Sequence, residues 1–306
     1  MNNIKARVGK GTGIVSKIMT YLQGIPFGQH HFEVAVLLRN SLLASSMLCN
    51  SEAWYNITVA EYDYLETIDV QLMRKILNAP QATPKEMLYL ELGCVPFRFM
   101  IQKRRLLYLH YLLNEDPGSM VNKVLMTQFN KRNKKDWTST VLRDIEELKL
   151  NMSIEEIKVM RKSTFSNILN KSMNEKAIEK LNEVKSKHSK ILHLKHEIMN
   201  MKKYLKAHGV KSNKEEKQLI FKLRSRVTDL KMNYQGIYDF HDCDACGIED
   251  ESQKHILECP TLISLNEENE EITEYEKIFE GTIQEQLDIA RLFQKNMEIK
   301  DSLIIK

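Results

Sequence analysis

Glycine and proline are scarce in this chain, at 11 and 6 of 306 residues. With so few residues that punctuate turns, and apolar residues recurring at three- and four-residue steps, the sequence predicts a mostly α-helical protein. No run of eighteen apolar residues occurs, and no N-terminal apolar core leads into a cleavage site, so neither membrane spanning nor secretion is expected. The Gly9–Lys10 pair is not part of a G-x4-GK[ST] loop, which leaves nucleotide binding unsupported; the first thirty residues read as a surface turn leading into a short helix. Cysteine is sparse too, at five residues, and its placement points to a reducing, intracellular setting.

Three of the five cysteines lie together in CDACGIEDESQKHILECP. Cys243, Cys246, His255 and Cys259 follow C-x2-C-x8-H-x3-C spacing, the donor set of a closed tetrahedral Zn2+ site. Cys243 and Cys246 would sit on a tight turn eased by Gly247. His255 and Cys259, four apart, would meet on one face of a short helix that Pro260 stops. No second histidine or carboxylate is arranged to leave an open coordination position, although Asp242 and Asp244 flank the first thiolate, so the expected role of the metal is folding and not hydrolysis. Cys49 and Cys94 read as small buried hydrophobes.

Net charge is only +4, but it is unevenly spread. Residues 1–157 carry 19 basic and 16 acidic side chains, 158–238 carry 20 and 7, and 239–306 carry 6 and 18. The middle suits a phosphate backbone, and the tail would repel one. Four segments follow: a helical domain over 1–150, a basic helical linker over 151–235, the metal module over 236–262, and an acidic tail with a terminal helix over 263–306.

Local signals place the helices. Residues 31–49 read as a buried helix. Thr58 with Glu61 forms a capping box, and the helix it opens ends near Asn78–Pro80. Pro84 and Gly93 bracket a short helix, and Pro96 begins another that breaks at Asn114–Gly118. A further helix is expected around Trp137–Leu148, after a basic loop at 131–135. Ser153 with Glu156 caps a long lysine-rich pattern, in which the apolar stripe over 172–206 predicts one long surface helix or coiled-coil-like arm. Its histidines His188, His193 and His196 read as solvated or phosphate-facing. Residues 214–232 read as a shorter basic helix, and Thr282 with Glu285 opens a last helix to about Met297. The E-x-K spacing at Glu298–Lys300 recurs at Glu156–Lys158 inside an ordinary helix and carries no weight.

Two basic groups are candidate nucleic-acid contacts. Arg98, Lys103, Arg104 and Arg105 cluster beside Tyr108 and His110; Lys222, Arg224, Arg226 and Lys231 precede Tyr234, Tyr238 and Phe240. Basic side chains interleaved with aromatics beside a small zinc module could hold a single strand through phosphate contacts and stacking. The aromatics could equally form the core that so small a module needs.

The segments LLASSMLCNSEAW (42–54), YLETIDVQLMRKILNAPQATPKEMLYLELGCVPFRFMIQKRRLLYLHYLL (64–113), IFKLRSRVTDLKMNY (220–234) and the cysteine–histidine stretch 243–260 occur in the order found in one family. The chain resembles the region C-terminal to the polymerase palm in non-LTR retrotransposon reverse transcriptases. The resemblance is vaguest over 120–210, and the tail after 262 matches nothing in it. It implies a helical thumb and linker that grip template, followed by a CCHC zinc module with Cys243, Cys246, His255 and Cys259 as ligands. It also implies RNA or an RNA–DNA hybrid as partner, with single-stranded DNA as a further candidate, and an intracellular place, nucleus or cytoplasm. The family's F/Y-x-D-D element is missing, since no two aspartates are adjacent, and two-metal polymerisation needs such carboxylates. The expectation is therefore a non-catalytic nucleic-acid-binding fragment. Two alternatives stand beside it: a zinc-stapled helical interaction protein whose acidic tail binds a basic partner or folds back on the basic middle, and a piece of an RNA-directed DNA polymerase active only with palm and fingers.

Overall fold

The computed structural model describes residues 2–24, 30–131, 133, 135–187, 194, 198–206, 212–234, 240–266 and 274–304. These residues are mostly helical, and among them pairing of extended backbone is confined to an isolated antiparallel bridge between Asp242 and Asp250. No described helix is long and apolar enough to cross a membrane. The expectations for His188, His193, His196 and Tyr238 fall outside the described residues, as does the Tyr234 side chain.

The N-terminus corrects the expected surface turn. Helix α1 runs over Asn2–Gln23 and buries Ile4, Val8, Val15, Ile18 and Leu22 at three-, four- and seven-residue steps. Each such side chain contributes about 1.5–3 kcal/mol when fully buried, which outweighs the cost of about 1 kcal/mol per glycine in a helix. Gly11 is there for contact: a Cβ would lie 2.8 Å from Met47 Sδ and 2.9 Å from Ile68 Cγ2, so its absence lets α1 close on the following helices.

Residues 31–49 form helix as expected, α2 (His31–Leu38) and α3 (Ser45–Met47) being joined through a wider π turn at Arg39–Ala44. The capping box at Thr58 opens α4 (Val59–Leu77), with Thr58 N donating to Glu61 Oε2 at 2.9 Å and Glu61 N to Thr58 Oγ1 at 3.2 Å. Asn78, at φ 50°, ends it. Next come α5 (Lys85–Leu92), closed by Gly93 at φ 62°, and α6 (Phe97–Leu113), begun after Pro96. They are followed by α7 (Met120–Lys131) and α8 (Trp137–Glu147), the latter capped by Asp136.

The lysine-rich middle departs from expectation. Ser153 and Glu156 do form a capping box, but the helix behind it, α9 (Ile154–Val159), is short. Helix α10 (Lys162–Lys185) then buries Phe165, Leu169, Met173, Ala177 and Leu181 against α5 and α6. The single long helix expected over 172–206 does not form: residues 198–206 run irregularly with one 3-10 turn at Lys203–Leu205, and Tyr204 and Leu205 pack into the core. Of the expected stripe, Ala177 and Leu181 are buried from α10 and Leu205 from the 3-10 turn, whereas Ile198 is exposed.

Helix α11 (Lys214–Arg224) is shorter than the expected 214–232, because Arg226 takes a left-handed conformation at φ 51° and turns the chain. The C-terminal part comprises α12 (Gln253–Glu258), α13 (Pro260–Leu265), α14 (Lys277–Glu280) and α15 (Ile283–Ile304). Helix α15 begins where the Thr282–Glu285 hydrogen bonds predict, runs past Met297, and packs on α11, α12, α13 and α14. The terminal helix thus packs on α11, with Arg291 of the tail paired to Glu216 of α11 at 2.7 Å. Cys94 is buried as expected, whereas Cys49 is exposed, at the end of its helix.

Three buried arginine–carboxylate pairs tie distant segments together. Arg39 binds Asp69 at 2.8 and 2.5 Å, Arg105 binds Asp144 at 2.6 and 2.8 Å, and Arg224 binds Glu91 at 3.1 Å. Each carboxylate or guanidinium finds further partners: Tyr89 Oη donates to Asp69, Arg105 to Tyr62 Oη, and Tyr204 Oη to Glu91 at 2.6 Å. Arg224 also donates to the carbonyls of Ile278 and Phe279, so one side chain joins α5, α11 and α14. Such pairs offset their desolvation only when fully hydrogen-bonded.

Candidate metal centre

The metal cluster is assembled by a hairpin and a helix. Cys243 N donates to the Glu249 carbonyl at 2.8 Å and Glu251 N to the His241 carbonyl at 2.7 Å, framing the Asp242–Asp250 bridge. Between them the chain turns back sharply, Gly247 N reaching the Cys243 carbonyl at 2.7 Å. Gly247 sits at φ 65° with open space where a Cβ would be, so the turn needs glycine for its backbone angle and not for room.

Ser252 then caps α12, its Oγ accepting from His255 N at 3.1 Å, which fixes His255 in the first turn. Cys259 ends α12 in an extended conformation and is at the same time the residue before α13, whose first position is Pro260. The proline both stops one helix and starts the next. Only His255 lies on α12; Cys259, expected on the same helix face, is extended just past its end and still comes close to His255.

Ligand atoms of Cys243, Cys246, His255 and Cys259 all lie within 4.8 Å of one another. Bonds of about 2.3 Å to sulfur and about 2.0 Å to nitrogen place tetrahedral donors roughly 3.5–3.8 Å apart, so a small contraction closes the shell around one ion. Three sulfurs and one imidazole suit Zn2+. His255 presents Nε2, 3.2 Å from Cys246 Sγ, while its Nδ1 lies 3.1 Å from Glu249 Oε2. That carboxylate puts the proton on Nδ1 and leaves Nε2 free to ligate, an outer-shell device typical of metal-bound histidine. Sequence spacing could not reveal Glu249, because its role depends on the hairpin returning to the helix.

The thiols differ. Burial pushes Cys243 up to about 11 in spite of N–H groups from Cys246 and Ala245. At Cys246 burial also raises the pKa, but N–H groups of Ile248 and Glu249, with hydrogen bonds to His255 and Cys259, outweigh it and lower the thiol to about 7. Cys246 thus ionises more readily than Cys243, and a cation arriving at the cluster would stabilise further thiolates.

Several charges beside the hairpin are paired. Lys231 Nζ donates to Asp244 Oδ1 at 2.5 Å and to the Asp242 carbonyl at 2.9 Å, and Asp244 holds its pKa above the ordinary lysine value. From the terminal helix, buried Lys300 reaches Glu251 at 2.8 Å, and Asn296 donates to the Ile256 carbonyl at 2.8 Å. Lys300, the lysine of the E-x-K triplet, therefore docks α15 onto the metal module.

The candidate nucleic-acid residues do not form one basic face. Arg105 and Arg224 are corrections: both are buried and spent on Asp144 and Glu91, so neither can reach a phosphate in the folded chain. Arg98 pairs with Glu147 and lies over the Tyr62 ring, 5.2 Å from its centroid. Arg98 and Arg105 line an open cleft of about 450 Å³ together with Arg143, Asp144, Glu146 and Glu147, so its charges balance. Lys103 donates to Asn170 at 2.6 Å, and Arg104 donates to the Leu48 carbonyl. Lys222 and Arg226 are half-buried, with Arg226 beside the buried Tyr275 hydroxyl. Sequence proximity groups these cations along the chain but cannot show which carboxylates fold against them.

No protein-family model, no curated protein and no solved structure matches this chain.

Proposed function

We propose that the chain is a non-catalytic nucleic-acid-holding module, corresponding to the thumb, linker and zinc region that follows the palm in non-LTR retrotransposon reverse transcriptases. The observation that carries it is the surface of α9 and α10. Lys158, Arg161 and Lys162 are exposed at the α9–α10 junction, Lys171, 3.9 Å from Glu175, is exposed further along α10, and Lys187 is exposed beyond its end, while the buried stripe of α10 packs on α5 and α6; exposed Glu155, Glu156, Glu175 and Glu183 lie on the same two helices. The cations at the α9–α10 junction take the place of buried Arg105 and Arg224 as the phosphate-binding element. Zinc, held by Cys243, Cys246, His255 and Cys259, supplies folding energy by joining the hairpin to α12.

Binding of this kind is sequence-independent and weakens steeply with salt. A labelled single-stranded RNA of twenty nucleotides, titrated at 50 and 200 mM salt, tests it. The Lys158→Glu, Arg161→Glu, Lys162→Glu variant is expected to lose most low-salt affinity and to flatten the salt dependence, the slope falling by about one for each phosphate that is no longer neutralised. Unchanged affinity in that variant would sink the proposal.

A second reading, a zinc-stapled helical interaction protein, is favoured by the neutralisation of Arg105, Arg224 and Lys231 by protein carboxylates. In that case RNA affinity is low at all salts and the α9–α10 substitutions change nothing.

A further inference from the structure

The outer face of the zinc hairpin has properties opposite to those of a nucleic-acid surface. Phe240 and Ile248, two large apolar side chains, are 78% and 75% exposed on either side of the Asp242–Asp250 bridge. In an antiparallel pair, residues directly opposite share a face, so the carboxylates of Asp242 and Asp250 project from the same side. Both residues are exposed. Like charges facing each other across a bridge are destabilising, and a cation laid over them would relieve that cost.

The inner face of the hairpin is covered: Cys243 and Glu251, each next to a bridge residue, are buried, and Lys300 of α15 reaches Glu251. The outer face presents two apolar side chains flanking a doubly acidic centre, and residues 239–306 carry 18 acidic and 6 basic side chains. The charge selects the partner, since a phosphate backbone is repelled and a lysine- or arginine-bearing peptide is attracted.

We infer that this face, formed by Phe240, Asp242, Ile248 and Asp250, docks a basic protein segment, whose apolar residues pack on Phe240 and Ile248 while its cations sit over Asp242 and Asp250. It shares no residue with the α9–α10 surface, so one chain would hold nucleic acid and protein through different side chains.

The test uses the full zinc-loaded chain as target for a library of random displayed dodecapeptides. The counter-target is the Ile248→Ser, Asp242→Asn, Asp250→Asn variant, first shown to keep its zinc content and helical circular dichroism. Peptides enriched on the native chain should be net basic with at least one large apolar residue, and should bind the variant at least tenfold more weakly. The milder Asp242→Asn, Asp250→Asn variant, which leaves every apolar group in place, should lose affinity at 50 mM salt more than at 300 mM salt. Twenty-nucleotide RNA should bind all three proteins alike. Lack of enrichment over the counter-target, enrichment of acidic or neutral peptides, or loss of RNA affinity in the hairpin variants would each overturn the assignment. Failure of RNA to bind any of the proteins would count against the α9–α10 proposal and leave the peptide result standing by itself.

Discussion

Replacing Arg224 with alanine separates a structural charge from a binding one. Arg224 holds Glu91, which is 0% exposed, and the carbonyls of Ile278 and Phe279, tying α5, α11 and α14 together. In Arg224→Ala the Glu91 carboxylate stays buried, still accepting from Tyr204 Oη but without its cation. Removing one partner of a buried pair costs about 3–5 kcal/mol. At roughly 2–4 °C per kcal/mol for a chain of this size, we predict a melting temperature lowered by about 6–20 °C. Lys222→Ala, two residues earlier on the same helix, is half-buried and should change stability by about 0.5 kcal/mol or less. Thermal melts followed by circular dichroism, with zinc in excess, read both variants. Combining Arg224→Met with Glu91→Leu should recover much of the loss, because the stranded charge is gone. A native-like melt for Arg224→Ala together with loss of RNA binding would refute the placement of this guanidinium in the core.

Four further outcomes follow from the same structure. Gly93→Ala should be severely destabilising, because at φ 62° its Cβ would lie 2.0 Å from Met201 N, whereas Gly247→Ala, with open space around it, should cost only the backbone strain of about 1–2 kcal/mol; chemical denaturation compares them. Glu249→Gln should weaken zinc about tenfold, at the low end for an outer-shell partner because Glu249 is 71% exposed, as read by competition with a chromophoric chelator. Burial, reinforced by Lys214 and Lys217, lowers the pKa of His31 to about 4, so the folded chain holds this imidazole neutral. Its contribution is then fully present above the ordinary value near 6.5 and is lost as pH falls from there towards 4, so His31→Phe should flatten the acid limb of stability in that window. Truncation before α15 should lower both melting temperature and zinc affinity, since it strands buried Glu251 and uncovers α12; an intact melt would show that the helix does not support the metal module.

Much of the helical layout is legible in the sequence because local chemistry decides it. Thr58–Glu61, Ser153–Glu156 and Thr282–Glu285 start their helices as their side chains dictate, and Gly93 ends one at a positive φ. The misreadings have a common cause. Gly9, Gly11 and Gly13 argue against a helix over the first residues, yet Gly11 serves close packing there and the apolar stripe outweighs propensity. Over 172–206 the apolar spacing looks continuous, but Leu205 packs from a 3-10 turn and not from a prolonged α10. For the site, the clustering of Cys243, Cys246, His255 and Cys259 is readable because one short segment carries all four. The fates of Arg105 and Arg224 are not, because their carboxylates lie 39 and 133 residues away and no local pattern announces a buried pair.

Zinc content and coordination of the purified chain test the central claim most directly. Elemental analysis should give one zinc per chain, and X-ray absorption should show three sulfurs at about 2.3 Å and one nitrogen at about 2.0 Å, with the metal lost or much weakened in His255→Ala. A chain that folds with well under one zinc, or one whose zinc is unaltered by His255→Ala, would contradict it.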